Sequence, residues 1–246
     1  MTAPLSLTED RLLGGRVALC QPREGLRAGL DPVLLAAAVP ARPGERVLEA
    51  GCGSGAAFLC LAARVPGLSV LAVEQDPELA ALAARNAAAN GLGGRVEVIA
   101  GDVRDRALAH RLPRCAHAFA NPPWWPGGTA PPGARRRAAT HEAAAALADW
   151  AGFLAAALAP GGSLTLVLPA ARFDQGLAAL AAAGCGAARL LPLWPRAGQA
   201  AKRVIVQGRL GRRGPARVEP GLVLHGPGQG FTPEAEAVLR GAAGLG

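Results

Sequence analysis

The alternation of short apolar runs with stretches of helical spacing is the feature that most restricts the fold of this chain of 246 residues. Strands alternating with helices are typical of βαβ units, in which each helix returns the chain to a parallel neighbouring strand. We therefore predict an α/β fold in residues 46–246, with residues 1–45 as a short N-terminal extension. The predicted strands are 46–51, 68–74, 96–102, 117–121, 163–169, 187–193 and 203–210.

Composition excludes several other classes of protein. Apolar residues make up 51% of the chain and charged residues 18%, which favours a packed core over intrinsic disorder. The five cysteines include no Cys-x-x-Cys pair and the four histidines show no ligand spacing, so we expect neither a disulfide scaffold nor a metal site. The longest strongly apolar helical stretch, 151–159, is far shorter than the roughly 20 residues that cross a bilayer. We expect a cytoplasmic protein.

Charge is distributed unevenly along the chain. Residues 1–120 carry 13 Arg and 12 acidic residues, whereas residues 121–246 carry 13 Lys and Arg against 6 acidic residues, a net charge of +7. A basic half favours an anionic partner, although a solvated basic surface would have the same composition. The candidate phosphate contacts are Arg135, Arg136 and Arg137 after the fourth strand, and Arg209, Arg212, Arg213 and Arg217 after the last strands.

A glycine-rich loop, Glu49-Ala-Gly51-Cys-Gly53-Ser-Gly55, follows the first predicted strand. Glycines here permit a tight turn and the close approach of a ligand. The spacing Gly-x-Gly-x-Gly differs from the Gly-x-Gly-x-x-Gly of pyrophosphate-binding folds, and no Gly-Lys-Ser/Thr is present for a phosphate. Glu49 would repel a phosphate and attract a cationic ligand instead.

Acidic residues end the next two predicted strands. Glu74 ends the second strand, where a carboxylate can accept hydrogen bonds from both hydroxyls of a ribose. Asp102, followed by Val103, ends the third strand and can accept a hydrogen bond from the exocyclic amine of an adenine. A nucleoside with a positive, phosphate-free tail fits the loop and both acids, and S-adenosylmethionine is such a molecule.

The segment Asn121-Pro122-Pro123-Trp124 follows the fourth predicted strand, at the end of the sheet where open α/β folds bind ligands. The prolines fix the backbone, so the Asn121 side chain and a loop carbonyl can accept hydrogen bonds from a planar NH2 group. Two such acceptors stabilise the charge that develops on the amine during methyl transfer. Trp124 offers a ring face on which a flat substrate can stack.

Taken in this order, the loop, the two acids and Asn-Pro-Pro-Trp resemble the class I S-adenosylmethionine-dependent methyltransferases with an Asn-Pro-Pro-aromatic motif. Segments 13–16, 21–36 and 193–196 are similar to the bacterial tRNA1(Val) adenine-N6 methyltransferase-like group. The resemblance implies a Rossmann-like fold with a seven-stranded, mostly parallel sheet, its last strand antiparallel and helices on both faces. It also implies methylation of adenine N6 in tRNA near the anticodon.

The resemblance further implies a role for each candidate residue. The three loop glycines would cradle the methionine portion of the cofactor, Glu74 would bind its ribose and Asp102 its adenine. Asn121 would bind the target amine and Trp124, which stands where Tyr or Phe is usual, would stack on the base. Asp31 could help to close the cofactor pocket or could cap the helix that begins beside it.

Other acceptors and one other class of protein remain open. A glutamine of a release factor, guanine N2 or adenine N6 of ribosomal RNA, and adenine of DNA all present planar nitrogens. A release-factor enzyme would carry a larger helical N-terminal domain than 45 residues can form, and a DNA enzyme would usually add a target-recognition region. The non-enzymatic alternative is an RNA-binding protein that retains the cofactor site.

Overall fold

The computed structural model describes residues 6–24, 27–123 and 146–245. The strands are β1 (Leu7–Leu12), β2 (Val17–Pro22), β3 (Arg46–Ala50), β4 (Ser69–Glu74), β5 (Val96–Ala100), β6 (Cys115–Ala120), β7 (Leu158–Pro169), β8 (Cys185–Arg196), β9 (Arg203–Leu210), β10 (Arg217–Val218) and β11 (Leu222–His225). The helices are α1 (Leu30–Ala38), α2 (Ala56–Arg64), α3 (Pro77–Ala89), α4 (Arg106–Arg111), α5 (Leu147–Ala156), α6 (Phe173–Ala182) and α7 (Pro233–Leu239).

The central sheet has the strand order β5-β4-β3-β6-β7-β9-β8, and β10 and β11 both pair with β8. Strands β3 to β7 pair in parallel, whereas β9 is antiparallel to both β7 and β8. The predicted mostly parallel α/β sheet with an antiparallel last strand is confirmed. The seven-strand prediction missed β10 and β11, which have only two and four residues and therefore show no readable hydrophobic period.

Helices cover both faces of the sheet, so its central strands are buried on both sides. One apolar cluster joins α1, α2, α3 and α7 to the sheet and includes Leu35 and Phe58. The other joins α4, α5 and α6 to the opposite face and includes Trp150 and Phe153. No helix in the described ranges is long and apolar enough to cross a membrane.

Helix α5 ends earlier than its sequence pattern predicts. The apolar spacing that continues to Leu158, followed by Pro160 and two glycines, predicts a helix from about residue 141 to the residue before Pro160. In the structure the helix ends at Ala156 and β7 already begins at Leu158. Close backbone packing explains Gly162, because a Cβ there would lie 2.7 Å from the Ala116 carbonyl oxygen of the neighbouring strand. The predicted start of this helix, near residue 141, lies outside the described residues.

The hairpin β1–β2 is fixed to the rest of the fold by two asparagines of α3. The Asn86 amide donates to the Cys20 carbonyl oxygen (2.7 Å) and accepts from the Cys20 N–H (3.0 Å). Asn90 makes the same pair of bonds with Ala18, at 2.7 and 2.9 Å. Residues four apart share a helix face and residues two apart share a strand edge, so the two amides satisfy the free edge of β2.

Candidate functional site

The carboxyl ends of β3, β4, β5 and β6 bring the described candidate residues to one edge of the sheet. The glycine loop follows β3, Glu74 is the last residue of β4, Asp102 follows β5 and Asn121 follows β6. Parallel strands end at the same edge, and in open α/β sheets this edge forms the ligand crevice. Two groups of candidates, Trp124 and the three arginines Arg135, Arg136 and Arg137, lie outside the described residues.

The Glu74 carboxylate ties the end of β4 to the glycine loop. Its Oε2 accepts the backbone N–H of Gly53 at 2.7 Å, and its Oε1 accepts the N–H of Asp76 at 3.0 Å. Burial raises the pKa of Glu74, and the backbone hydrogen bonds act in the opposite direction. The two backbone hydrogen bonds hold the Glu74 carboxyl group in one orientation beside the loop.

The three loop positions are occupied by glycine for different structural reasons. A Cβ on Gly51 (φ +64°) would lie 2.5 Å from Cη2 of Trp150, and one on Gly55 (φ +94°) would lie 2.5 Å from Cζ of Phe58. A Cβ on Gly53 (φ +55°) would meet no atom within 4 Å. Packing therefore requires glycine at the first and third positions, and the backbone around Gly53 is the part open to a ligand.

Glu49 is buried at the amino end of α2. Its Oε2 accepts the Phe58 N–H at 2.8 Å, one of the backbone donors that the first helical turn leaves without a partner. Burial raises the pKa of Glu49 well above its ordinary value, and the nearby Glu74 carboxylate raises it further. The same burial and the same two acids raise the pKa of the Cys52 thiol, which stays protonated.

Asp102 is paired with Arg104. The Arg104 Nε lies 3.1 Å from Oδ1 and 3.0 Å from Oδ2, and Nη2 lies 2.5 Å from Oδ2. This ion pair, together with the Arg104 N–H, lowers the pKa of Asp102. An adenine amine that bound this carboxylate would share it with the arginine. Val103 packs into the apolar cluster below, and its side chain is buried.

Asn121 is partly exposed immediately after the buried end of β6. Its side-chain amide makes no hydrogen bond to any residue within the described ranges. The next residue, Pro122, is buried and anchors the start of the loop. The amide is therefore held at the sheet edge with its acceptor available.

The basic residues divide between the two ends of the sheet. Strand β9 pairs Arg203 with Pro169 at the carboxyl end of β7, and Arg209 with Ser163 six residues away. At about 3.3 Å per residue these positions are roughly 20 Å apart. Arg209 near the end of β9, Arg212 and Arg213 just after it and Arg217 in β10 thus lie at the opposite end of the sheet and do not border Asn121.

Sequence reasoning missed a second set of cations that does lie at the carboxyl edge: Arg172, Arg196, Lys202 and Arg203. Arg203 is paired with Asp31 at 3.0 Å, and Arg27, which the sequence suggested could help Asp31 to close the pocket, is paired with Asp10 at 2.8 Å. Asp31 does not cap α1, because the N-cap residue is Gly29. These cations come from segments that are distant in sequence, and the strand order places them at one edge. No local sequence pattern predicts this arrangement.

Comparison with known proteins identifies the family. Residues 47–121 match the family described as a methyltransferase domain. A tRNA1(Val) (adenine(37)-N6)-methyltransferase of Aeromonas hydrophila is 34% identical over 206 residues, which cover 82% of this chain and 84% of the relative. The enzyme of the same name from Aeromonas salmonicida is 30% identical over 85% of this chain and 87% of its own length.

A solved structure agrees with this assignment. The crystal structure of a protein described as a predicted O-methyltransferase from Agrobacterium tumefaciens has a TM-score of 0.72 and 25% identity. The match covers 87% of this chain and 98% of that protein. The chain therefore belongs to the class I S-adenosylmethionine-dependent methyltransferases, and within that class to the family of the two Aeromonas enzymes.

Proposed function

We propose that this enzyme methylates the N6 nitrogen of an adenine in tRNA, near the anticodon. The observation that carries the proposal is the Asn121 amide at the carboxyl end of β6, which has no hydrogen-bond partner within the described ranges and lies on the same edge as the glycine loop. The two Aeromonas relatives, which share most of their length with this chain, are named for methylation of adenine 37 of tRNA1(Val).

The residues at the edge fit S-adenosylmethionine. The backbone at Gly53 is open, so a bulky ligand can approach it closely. The Glu74 carboxylate offers hydrogen-bond acceptors to a ribose, and an acidic residue beside the loop disfavours a phosphate there. When bound, the cofactor supplies an electrophilic methyl group on a sulfonium. We assign Glu74 to the ribose and Asp102, shared with Arg104, to the adenine.

Asn121 would position the acceptor nitrogen. Its amide oxygen accepts a hydrogen bond from a planar NH2 group, with a loop carbonyl as the second acceptor. The adenine amine is a weak nucleophile because its lone pair is delocalised into the ring, and two fixed acceptors favour the tetrahedral geometry in which that pair becomes available. The proton is released to solvent after transfer. Trp124 would stack on the base, and Arg135, Arg136 and Arg137 would contact phosphates.

The cations at the carboxyl edge support RNA as the substrate. Arg172, Arg196 and Lys202 surround the same edge as Asn121, and each can approach a backbone phosphate. The Phe173 side chain is 44% exposed beside them and offers an apolar surface for a base or sugar. A folded RNA would present the target adenine splayed out of its stack.

The test is transfer of labelled methyl from S-adenosylmethionine to total bacterial tRNA, followed by nucleoside mass spectrometry. Wild type should form N6-methyladenosine, and Asn121→Ala should lose at least a hundredfold in rate while retaining cofactor binding. Label in a release-factor protein and none in RNA would replace the proposal with glutamine methylation. Unchanged activity of Asn121→Ala would refute the role given to that residue.

A further inference from the structure

A second polar cleft lies at the amino ends of the parallel strands, at the opposite end of the sheet from Asn121. It has a volume of about 310 Å³, and its polar lining comes from Arg42, Glu45, His117, Gly161, Gly162 and Arg209. His117 precedes Asn121 by four residues of β6, which is about 13 Å at 3.3 Å per residue. A ligand in this cleft would therefore be distinct from the reacting base and from the methyl donor.

Two arginines, Arg42 and Arg209, line this cleft, and a third, Arg212, lies beside its Gly161 wall. Arg209 Nη1 donates to the Gly161 carbonyl oxygen at 3.2 Å. The Arg212 Nε and Nη2 atoms lie against the same turn, 3.7 Å from the position of a Cβ on Gly161. The charge of Arg42, like that of Arg209, lowers the pKa of His117 in the wall. Within the described ranges, neither Arg42 nor Arg212 has an acidic partner for its side chain.

Glu45 is the acidic residue of the lining, and its carboxylate is already engaged. Its Oε2 accepts the Arg42 backbone N–H at 2.7 Å and lies 3.0 Å from Nε2 of His117. An ionised carboxylate can only accept, so His117 carries its proton on Nε2 and its Nδ1 accepts from the Ser163 hydroxyl at 2.7 Å. Ser163 is fully buried, so this chain of groups is a structural wall and not a hydrolytic triad.

The local charge balance of the cleft is positive. Burial lowers the pKa of His117 against the opposing effect of the Glu45 carboxylate, and Arg209 and Arg42 act in the same direction as burial, so the imidazole is neutral near pH 7. Three permanent cations then face one carboxylate, Glu45, whose Oε2 already holds two donors. Arginine forks match the oxygens of a phosphate better than any other common anion, because two N–H groups can bind two oxygens at once.

We propose that this cleft is a phosphate-binding site, in which Arg209, Arg212 and Arg42 hold the phosphate group. The volume lies at the lower end of the range for small-ligand sites, enough for a phosphate together with an attached sugar or other small group. The phosphate belongs either to a small phosphate ester or to the backbone of a bound RNA. In the second case the cleft is a remote contact of the tRNA substrate, and the inference then rests on the proposed function.

The test compares the full-length wild type with the double variant Arg209→Gln/Arg212→Gln, and with Arg85→Gln as a matched control. Arg85 is an exposed arginine of α3, far in the fold from both ends of β9. Inorganic phosphate is titrated into each protein in chloride buffer by calorimetry. In parallel, the Kd for an unmodified tRNA transcript is measured at several salt concentrations.

Two results would support the site and identify the source of the phosphate. If the source is RNA, the double variant should bind tRNA about three- to tenfold more weakly, and its plot of log K against log salt should be less steep by about one. If the source is a small ester, the double variant should bind inorganic phosphate at least tenfold more weakly while its tRNA affinity stays unchanged.

The proposal is overturned if the double variant matches wild type in both titrations, or if wild type binds neither probe. The wild-type methylation assay is read separately. If wild type binds phosphate but does not methylate tRNA, the phosphate site stands and the proposed substrate is refuted. If wild type methylates tRNA but the double variant matches it in both titrations, the proposed function stands and the phosphate site is refuted.

Discussion

The Glu74 side chain accepts a hydrogen bond from the backbone N–H of Gly53, with 2.7 Å between Oε2 and the nitrogen. This contact joins the one loop glycine that is open to a ligand to the carboxylate that we assign to the ribose. The loop thus receives part of its shape from the next strand, and the residue that orients it is also a proposed ligand contact.

Replacing Glu74 should therefore affect both stability and cofactor binding. In Glu74→Gln, one of the two backbone donors at Gly53 and Asp76 faces an NH2 group, and an unsatisfied buried donor costs about 1–3 kcal/mol. We expect a free energy of unfolding lower by that amount and at least tenfold weaker S-adenosylmethionine binding, measured by urea unfolding and calorimetry. Glu97→Gln, at an exposed position of β5, is the control and should change neither.

Glu49→Gln should stabilise the fold, increasingly so as the pH rises. The amide oxygen can still accept the Phe58 N–H, while the buried charge is removed. The wild-type carboxyl has a raised pKa, so the folded state holds its proton above the ordinary value of 4.5, at which the unfolded chain loses it. Wild-type stability therefore falls as the pH rises from 4.5 through the raised pKa.

This effect of Glu49→Gln is measured as the difference in Tm between variant and wild type from pH 4.5 to pH 9. The difference should grow with pH, and a stabilisation of about 1 kcal/mol corresponds to roughly 2–4 °C in a chain of this size. A difference that is constant across this range would show that the two states hold the Glu49 proton equally tightly.

Alanine substitutions should separate the packing glycine from the ligand-facing glycine. Gly51→Ala places a methyl group 2.5 Å from the Trp150 ring and should destabilise the fold by about 2–4 kcal/mol. Gly53→Ala should cost only about 1 kcal/mol, for its left-handed backbone, yet weaken S-adenosylmethionine binding at least tenfold. The Trp150→Leu background should recover part of the loss in Gly51→Ala. Additive losses in that double variant would disprove the clash.

Arg104→Ala should leave cofactor binding unchanged or strengthen it by up to about fivefold. Arg104 is exposed and takes both oxygens of Asp102, and water screens an ion pair at such a position. Removing it frees the carboxylate for the adenine amine, whereas Asp102→Asn should weaken binding. Calorimetry with S-adenosylmethionine decides the sign. A tenfold loss of affinity in Arg104→Ala would instead make the guanidinium a direct cofactor contact.

Asn86→Ala should loosen both the hairpin and the glycine loop, because the Asn86 amide also donates to the Ser54 carbonyl oxygen at 2.8 Å. The substitution leaves the Cys20 N–H and carbonyl without partners, at a cost of about 2–4 kcal/mol. Hydrogen exchange of the Cys20 amide should accelerate more than that of β4. Asn121→Ala is the matched control, because its amide has no partner in the described residues, and it should keep wild-type stability.

The sequence alone predicted most of the residues that lie at the carboxyl edge of the sheet, where we place the candidate site. An apolar run that ends in Gly51, Glu74 or Asp102 marks the carboxyl end of a buried strand, and parallel pairing then brings these ends together. The spacing of acids and glycines is a local property, so it can be read without knowing any tertiary contact. Sequence reasoning assigned all three loop glycines to ligand binding. The packing of Trp150 against Gly51 and of Phe58 against Gly55 is a tertiary contact that the sequence does not indicate.

The features that sequence reasoning missed depend on contacts between distant segments. Asn86 meets Cys20 across 66 residues, and nothing near either residue indicates the pairing. Sequence reasoning grouped Arg209 with the arginines after Asn-Pro-Pro-Trp as phosphate contacts, yet antiparallel pairing of β9 with β7 places Arg209 at the opposite end of the sheet from Asn121. The sequence predicted strand β9 but not its antiparallel direction, and this direction determines the end of the sheet at which Arg209 lies.

The Asn86 amide also donates to the Ser54 carbonyl oxygen at 2.8 Å, so one side chain joins α3 to both the hairpin and the cofactor loop. Because the hairpin bonds to Asn86 and Asn86 bonds to the glycine loop, we expect residues 1–45 to limit the motion of a loop that lies far from them in sequence. Removing these residues should leave the proposed S-adenosylmethionine site less preorganised.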